Sequence, residues 1–186
     1  MPVSADEAVA LGSGSFDIVE IAALRGRAGA LERIAQDRGV QLPPLGHASI
    51  AREAIALAVR PERWLILTPP AAAGIAAEAW GAACSGVATA VDLSSGLAAL
   101  QLTGSAVPQV LARGCRLDLH PEAFPVQRTA ATMMAQVSVI LAALHSGWLL
   151  LTPSTTARHF QEWLASAARP FGLRALAGLA IFERAS

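Results

Sequence analysis

Two stretches decide how this chain is organised: WLILTP at Trp64–Pro69 and WLLLTP at Trp148–Pro153. Six matched positions with one conservative change point to a duplicated unit. In each copy a run of apolar residues ends where Thr-Pro halts an extended segment, and a helix is expected to follow.

Working outward from the first copy, FDIVEIAAL at Phe16–Leu24 is rich in branched residues and predicts a strand. Leu31, Ile34 and Ala35 then fall at helical spacing, and Gly39 followed by Pro43 and Pro44 predicts the helix stop. Glu53–Val59 and Arg63–Leu67 read as two short strands across the turn at Arg60, Pro61 and Glu62. Pro70 suits the first position of an alanine-rich helix running to about Cys84, Gly86 ends it, and VATAVDL at Val87–Leu93 closes the unit.

The same order restarts after Ser94, Ser95 and Gly96. Leu97–Gly104 predicts a strand, and Ser105 is expected to cap a helix that carries Val107, Val110 and Leu111 on one face and stops at Gly114. Thr129–Gln136 and Val137–Leu144 read as extended or weakly helical, followed by the second tryptophan copy. A helix from about Thr155 to Ala168 shows Phe160, Trp163, Leu164 and Ala167 on one stripe, and Leu173–Phe182 is the expected last strand. Each half therefore reads strand, helix, strand, strand, helix, strand. Residues 1–15 are expected to be a flexible lead-in, 16–95 the first unit and 96–186 the second. Each sheet would bury one face under its two helices, leaving the other to be covered by the second sheet or by a neighbouring subunit.

Composition narrows the function. Hydrophobic residues make up 54% of the chain and charged residues 15%, against about a quarter charged in ordinary soluble domains. A monomer of this size runs short of polar cover, which implies a buried partner surface. Alanine, small enough to sit anywhere, supplies much of that excess. Fourteen basic residues, all arginine, balance fourteen acidic ones. No net field draws the chain to nucleic acid or to an acidic membrane. The longest apolar stretch, Val137–Leu151, is broken by Ser138, His145, Ser146 and Gly147 and is too short to span a bilayer. The N-terminus lacks the basic and apolar regions of a signal peptide, and two cysteines fit a reducing, cytoplasmic setting.

CRLDLH places Cys115, Asp118 and His120 within six positions. On an extended segment Asp118 and His120 share one face while Cys115 points away with Leu117 and Leu119, so the three do not converge. A metal would need a further cluster such as CxxC or HxxxH, which is missing. A cysteine nucleophile needs a neighbouring base, and His47, His145 and His159 are scattered. Gly12 and Gly14 of LGSGS do not sit between a strand and a helix as a dinucleotide loop requires. Thr103–Ser105 does, but with one glycine and no lysine it reads as a turn. Trp64, Trp80, Trp148 and Trp163 lie among apolar neighbours, with only Arg63 and Arg158 nearby, and read as core or interface anchors. Glu20 and Asp92 have no second carboxylate fixed beside them for acid–base work. No catalytic, cofactor-binding or metal-binding residue is assigned.

The run VDLSSGLAALQLTGSAVPQVLARGCRLDLHPEAFP, Val91–Pro125, resembles the central signature of the gamma subunit family of heterotetrameric sarcosine oxidase. Asp92, Ser94, Gly104, Gly114, Cys115, Leu117, Asp118, Leu119, Pro121, Phe124 and Pro125 carry the likeness. RPERWLIL at Arg60–Leu67, Thr132 and the helix ending in Trp163 and Leu164 extend it over roughly Phe16–Gly172. The resemblance implies an α+β fold of two ferredoxin-like βαββαβ units packed as one body, similar to the folate-binding domain of the glycine-cleavage aminomethyltransferase. It also implies alpha, beta and delta subunits as partners in a complex that oxidatively demethylates sarcosine to glycine. FAD, FMN, NAD, zinc and tetrahydrofolate would then reside on those other subunits, with this chain a non-catalytic stabiliser. The aminomethyltransferase glycine-tyrosine-threonine-glycine-glutamate motif is absent, because the chain has no tyrosine. Two alternatives follow from the same likeness: a stand-alone tetrahydrofolate or one-carbon-binding domain, and the gamma subunit of a related N-methyl amino acid dehydrogenase.

Overall fold

The computed structural model of the chain describes residues 9–176, 179 and 181. They form two compact units, Ser15–Ser95 in one and Gly96–Ile181 together with the stretch up to Gly14 in the other. The first element, β1 (Ala10–Gly14), therefore belongs with the second half of the chain.

The Ser15–Ser95 unit contains β2 (Asp17–Ala23), α1 (Ala28–Asp37), β3 (Ala48–Ala51), β4 (Ala54–Arg60), β5 (Arg63–Thr68), α2 (Ile75–Ala83) and β6 (Ala88–Asp92). Its sheet runs β3-β4-β5-β2-β6, and every neighbouring pair is antiparallel. The last four strands in that order have the ferredoxin-like arrangement, and β3 is an addition at the edge. Sequence reading passed over β3, a four-residue strand held to β4 by a tight turn at Arg52 and Glu53.

Helix α1 ends as Gly39 predicts. Gly39 is left-handed at φ 73°, the Val40 N–H donates to the Ala35 carbonyl at 2.8 Å, and the Gly39 N–H donates to that of Gln36 at 2.9 Å. This paired closure satisfies carbonyls that the helix end would otherwise leave open. Helix α2 departs from expectation, starting at Ile75 instead of Pro70. The Asp17 carboxylate accepts a 3.0 Å hydrogen bond from the Ala71 N–H, and Gly74 at φ 81° turns the chain before the first helical residue.

The second unit contains β1, β7 (Leu97–Thr103), α3 (Val107–Ala112), β8 (Thr129–Met134), β9 (Val137–Leu144), β10 (Gly147–Pro153), α4 (Ala157–Ala168), a 3-10 turn at Arg169–Phe171 and β11 (Arg174–Ala175). The sheet order is β11-β1-β7-β10-β9-β8. Strand β1 lies antiparallel to β7, pairing Ala10 with Thr103 through to Gly14 with Ala99, and parallel to β11. It thus occupies the place beside the unit's first strand that a ferredoxin-like unit gives to its last, and β11 is displaced outward. The flexible lead-in expected over residues 1–15 is accordingly corrected for Ala10–Gly14: ladder bonds to β7 order a segment whose small residues carry little strand preference. Of the expected Leu173–Phe182 strand, Arg174 and Ala175 are in β11, and residues 177, 178, 180 and 182 lie outside the described residues. The stretch read as extended or weakly helical is a plain hairpin of β8 and β9. Its turn places Ala135 at φ 48° and Gln136 at φ 67°.

The tryptophan copies occupy matching places. Trp64 on β5 faces Ile21 on β2, and Trp148 on β10 faces Leu102 on β7, each strand sitting between its unit's first strand and a hairpin partner. One face of each sheet packs on helices: Val19, Ile21 and Ile66 with Leu31, Ala35 and Trp80 in one unit, and Leu100, Leu102 and Leu150 with Val110, Phe160 and Leu164 in the other. The opposite face is buried as well, with Ile55, Leu57 and Leu67 at 0% exposure and Leu149 likewise. Burial on both faces explains the uninterrupted apolar runs of β5 and β10. Each such side chain contributes about 1.5–3 kcal/mol relative to exposure.

Candidate functional site

The loop between α3 and β8 holds the residues that the signature Val91–Pro125 emphasises. Cys115 is buried and bridges to Met134, Leu119 and Phe124 are buried, and Asp118 and His120 face solvent. The Asp118 carboxylate accepts a hydrogen bond from the His120 N–H at 2.9 Å, a turn that Asp side chains form on their own backbone. The His120 carbonyl accepts from the Ala123 and Phe124 N–H groups, returning the chain inward. Phe124 stacks on Trp148, centroids 5.5 Å apart and planes at 22°. CRLDLHPEAF is thus a wound plug whose apolar members fill the core and whose polar members hold its turns. The structure does not bring Cys115, Asp118 and His120 together.

The remaining residues singled out from sequence also stand in structural roles. Ser94 donates both its hydroxyl, at 2.6 Å, and its N–H, at 2.9 Å, to the Asp92 carboxylate. Those bonds, the hydroxyl's first, hold the Asp92 carboxyl below its usual range. The same hydroxyl oxygen accepts the Ile18 N–H. Glu20 pairs with Arg63 at 3.1 Å. Burial pushes the Cys84 thiol up against an opposing pull from the Arg38 guanidinium, so a reactive thiolate is disfavoured there.

Thr103–Ser105 lies just before α3, and the position preceding that six-residue helix is Ala106, one residue later than the Ser105 cap expected. Gly12 and Gly14 lie within β1. Trp64 donates its indole N–H to the Pro43 carbonyl at 2.8 Å, Trp163 stacks on Phe160 at 5.8 Å, and the Arg38 guanidinium lies 4.7 Å over the Trp80 ring.

Sequence reasoning missed two buried polar residues, Asp17 and Gln101. Asp17 ties down Ala71, and Gln101 donates to the Ser146 carbonyl at 2.8 Å; their only signal was a polar residue inside an apolar strand. Thr129 and Thr152, also buried, donate to the Leu141 and Ser138 carbonyls. Among the described residues no group of three or more His, Cys, Asp or Glu could hold a metal. Gln101, Thr129 and Thr152 bond backbone carbonyls, whereas the buried Ser146 hydroxyl has no hydrogen-bond partner among the described residues.

The pattern of the sarcosine oxidase, gamma subunit family matches residues 27–169. The chain is 34% identical over 136 residues to the sarcosine oxidase subunit gamma of Arthrobacter sp., spanning 72% of this chain and 66% of that one. It is 33% identical over 112 residues to that of Corynebacterium sp. (strain P-1), spanning 60% and 55%. The match thus spans less than two thirds of these relatives' own length. Among solved structures, a chain of the heterotetrameric sarcosine oxidase from Corynebacterium sp. U-96, in complex with pyrrole 2-carboxylate, superposes with a TM-score of 0.80 at 26% identity, covering 94% of this chain and 91% of that one. The glycine cleavage system aminomethyltransferase T from Bartonella henselae matches with a TM-score of 0.65 at 13% identity, over 91% of this chain and 48% of that one, a likeness of fold. The Asp92–Ser94 turn, the α3–β8 plug and the α+β fold of the folate-binding type now have one explanation: the chain belongs to the gamma subunit family of sarcosine oxidase.

Proposed function

We propose that this chain is the gamma subunit of a cytoplasmic, heterotetrameric sarcosine oxidase, a non-catalytic member that stabilises the assembly beside alpha, beta and delta subunits. The observation that carries the reading is the family match over residues 27–169, joined to the 0.80 superposition on a chain of a heterotetrameric enzyme. Asp92 and Asp118 are engaged in turns and Glu20 in an ion pair, which is consistent with that reading. Oxidation of sarcosine to glycine, and the FAD, FMN, NAD, zinc and tetrahydrofolate that serve it, are assigned to the sister chains.

The test is co-expression of this chain, tagged, with candidate sister subunits. Co-purification as one complex that releases peroxide on adding sarcosine is the expected result. A complex that forms equally well and is equally stable without this chain would refute the stabilising role.

A further inference from the structure

We infer that the hollow between the end of α1, the β3–β4 turn and α2 is a docking pocket for an acidic side chain of a sister subunit; this rests on the assembly proposed above. The cavity measures about 380 Å³ and is lined by Arg38, Val40, Arg52, Glu53, Thr68 and Trp80. Trp80 is buried at 4% exposure and forms one wall, and the central carbon of the Arg38 guanidinium lies 4.7 Å from the centre of its ring. A cation–ring contact uses up none of a guanidinium's N–H donors, which remain available to a carboxylate.

Among the described residues neither Arg38 nor Arg52 makes a hydrogen bond or ion pair through its side chain. Glu53, the one carboxylate on the rim, pairs with neither. Two arginines without an ion pair thus line one concave site beside an indole and outnumber its single carboxylate, Glu53, a setting that favours an anion by charge. Arg38 and Arg52 are exposed to a partner, and arginine and tryptophan are the residue types that dominate subunit binding energy. A carboxylate entering here would neutralise both arginines at once, whereas an apolar side chain would leave them unpaired.

The experiment uses the co-expressed complex carrying Arg38→Gln and Arg52→Gln in this chain, with retention of the chain followed by size-exclusion across a salt series. The expected result is association weakened by at least about tenfold, with a shallower salt dependence. Arg33→Gln, an exposed arginine of α1 outside the cavity, should leave both unchanged. Arg52→Gln alone removes an exposed side chain that makes no hydrogen bond or ion pair among the described residues, and an unchanged urea midpoint would separate its effect from misfolding.

Unchanged retention and salt dependence in the double variant, with wild type assembling, would overturn the pocket and spare the assembly. Failure of wild type to assemble would overturn the assembly itself. Acetate or citrate shifting the tryptophan emission of the isolated wild-type chain but not of the double variant, with assembly unaffected, would make the hollow a small-carboxylate site and also overturn the proposal.

Discussion

The Trp163 ring occupies the space that a β-carbon on Gly114 would need: Cζ2 lies 2.5 Å and Cη2 2.7 Å from the ideal position. Gly114 is not among the glycines with positive φ, so it is required by contact and not by backbone conformation. Read from sequence it was a helix stop. In the structure it is the place where the α3–β8 plug passes beneath α4. Gly114→Ala should cost about 1–3 kcal/mol through overpacking, measured by urea unfolding. Adding Trp163→Phe to that variant should recover part of the loss, since the smaller ring frees the space.

Trp64→Phe tests whether the first tryptophan copy is held by more than apolar contact. The indole N–H donates to Pro43, and its loss strands a carbonyl beside a buried ring. A destabilisation of about 1–3 kcal/mol is expected, read from the unfolding midpoint of the isolated chain.

Trp148→Ala and Cys115→Ser should separate packing from chemistry. Trp148 supports Phe124 by stacking and is only half-buried, so its removal should cost about 3 kcal/mol, the low end for a large aromatic, and lower the yield of complex. Cys115 has no base beside it, and Cys115→Ser in a fully assembled enzyme should leave kcat unchanged in a sarcosine-dependent peroxide assay.

Asp92 gives a pH signature. Hydrogen bonds from Ser94 lower its folded-state pKa. Its contribution is therefore present above the unfolded carboxyl range and disappears as pH falls through the folded value. Asp92→Asn should unfold at lower urea than wild type at neutral pH, and the two curves should converge in acid. The group is exposed, so the gap will be small.

The duplication and most strands were legible because branched apolar runs and Thr-Pro stops act locally. The end of α1 was legible for a similar reason, as Gly39 serves one helix terminus. What escaped reading depends on distant partners. The small residues of β1 become a strand only against β7. The start of α2 is set by Asp17, which lies 54 residues before Ala71. Gly114 does follow the end of α3 as read, yet its contact with Trp163 was not legible because nothing in sequence places that ring against it. The hollow at Arg38 was invisible for the same reason, since Arg52 and Trp80 reach it from separate elements.

The wedging of β1 between β7 and β11 has a consequence for synthesis on the ribosome. Strand β1 finds its ladder only after Leu97–Thr103 has emerged, so it must wait unpaired while the intervening residues are translated. Deleting Ala10–Gly14, or burying them in a rigid fusion, would injure the late-made half of the protein and leave the early-made half comparatively intact.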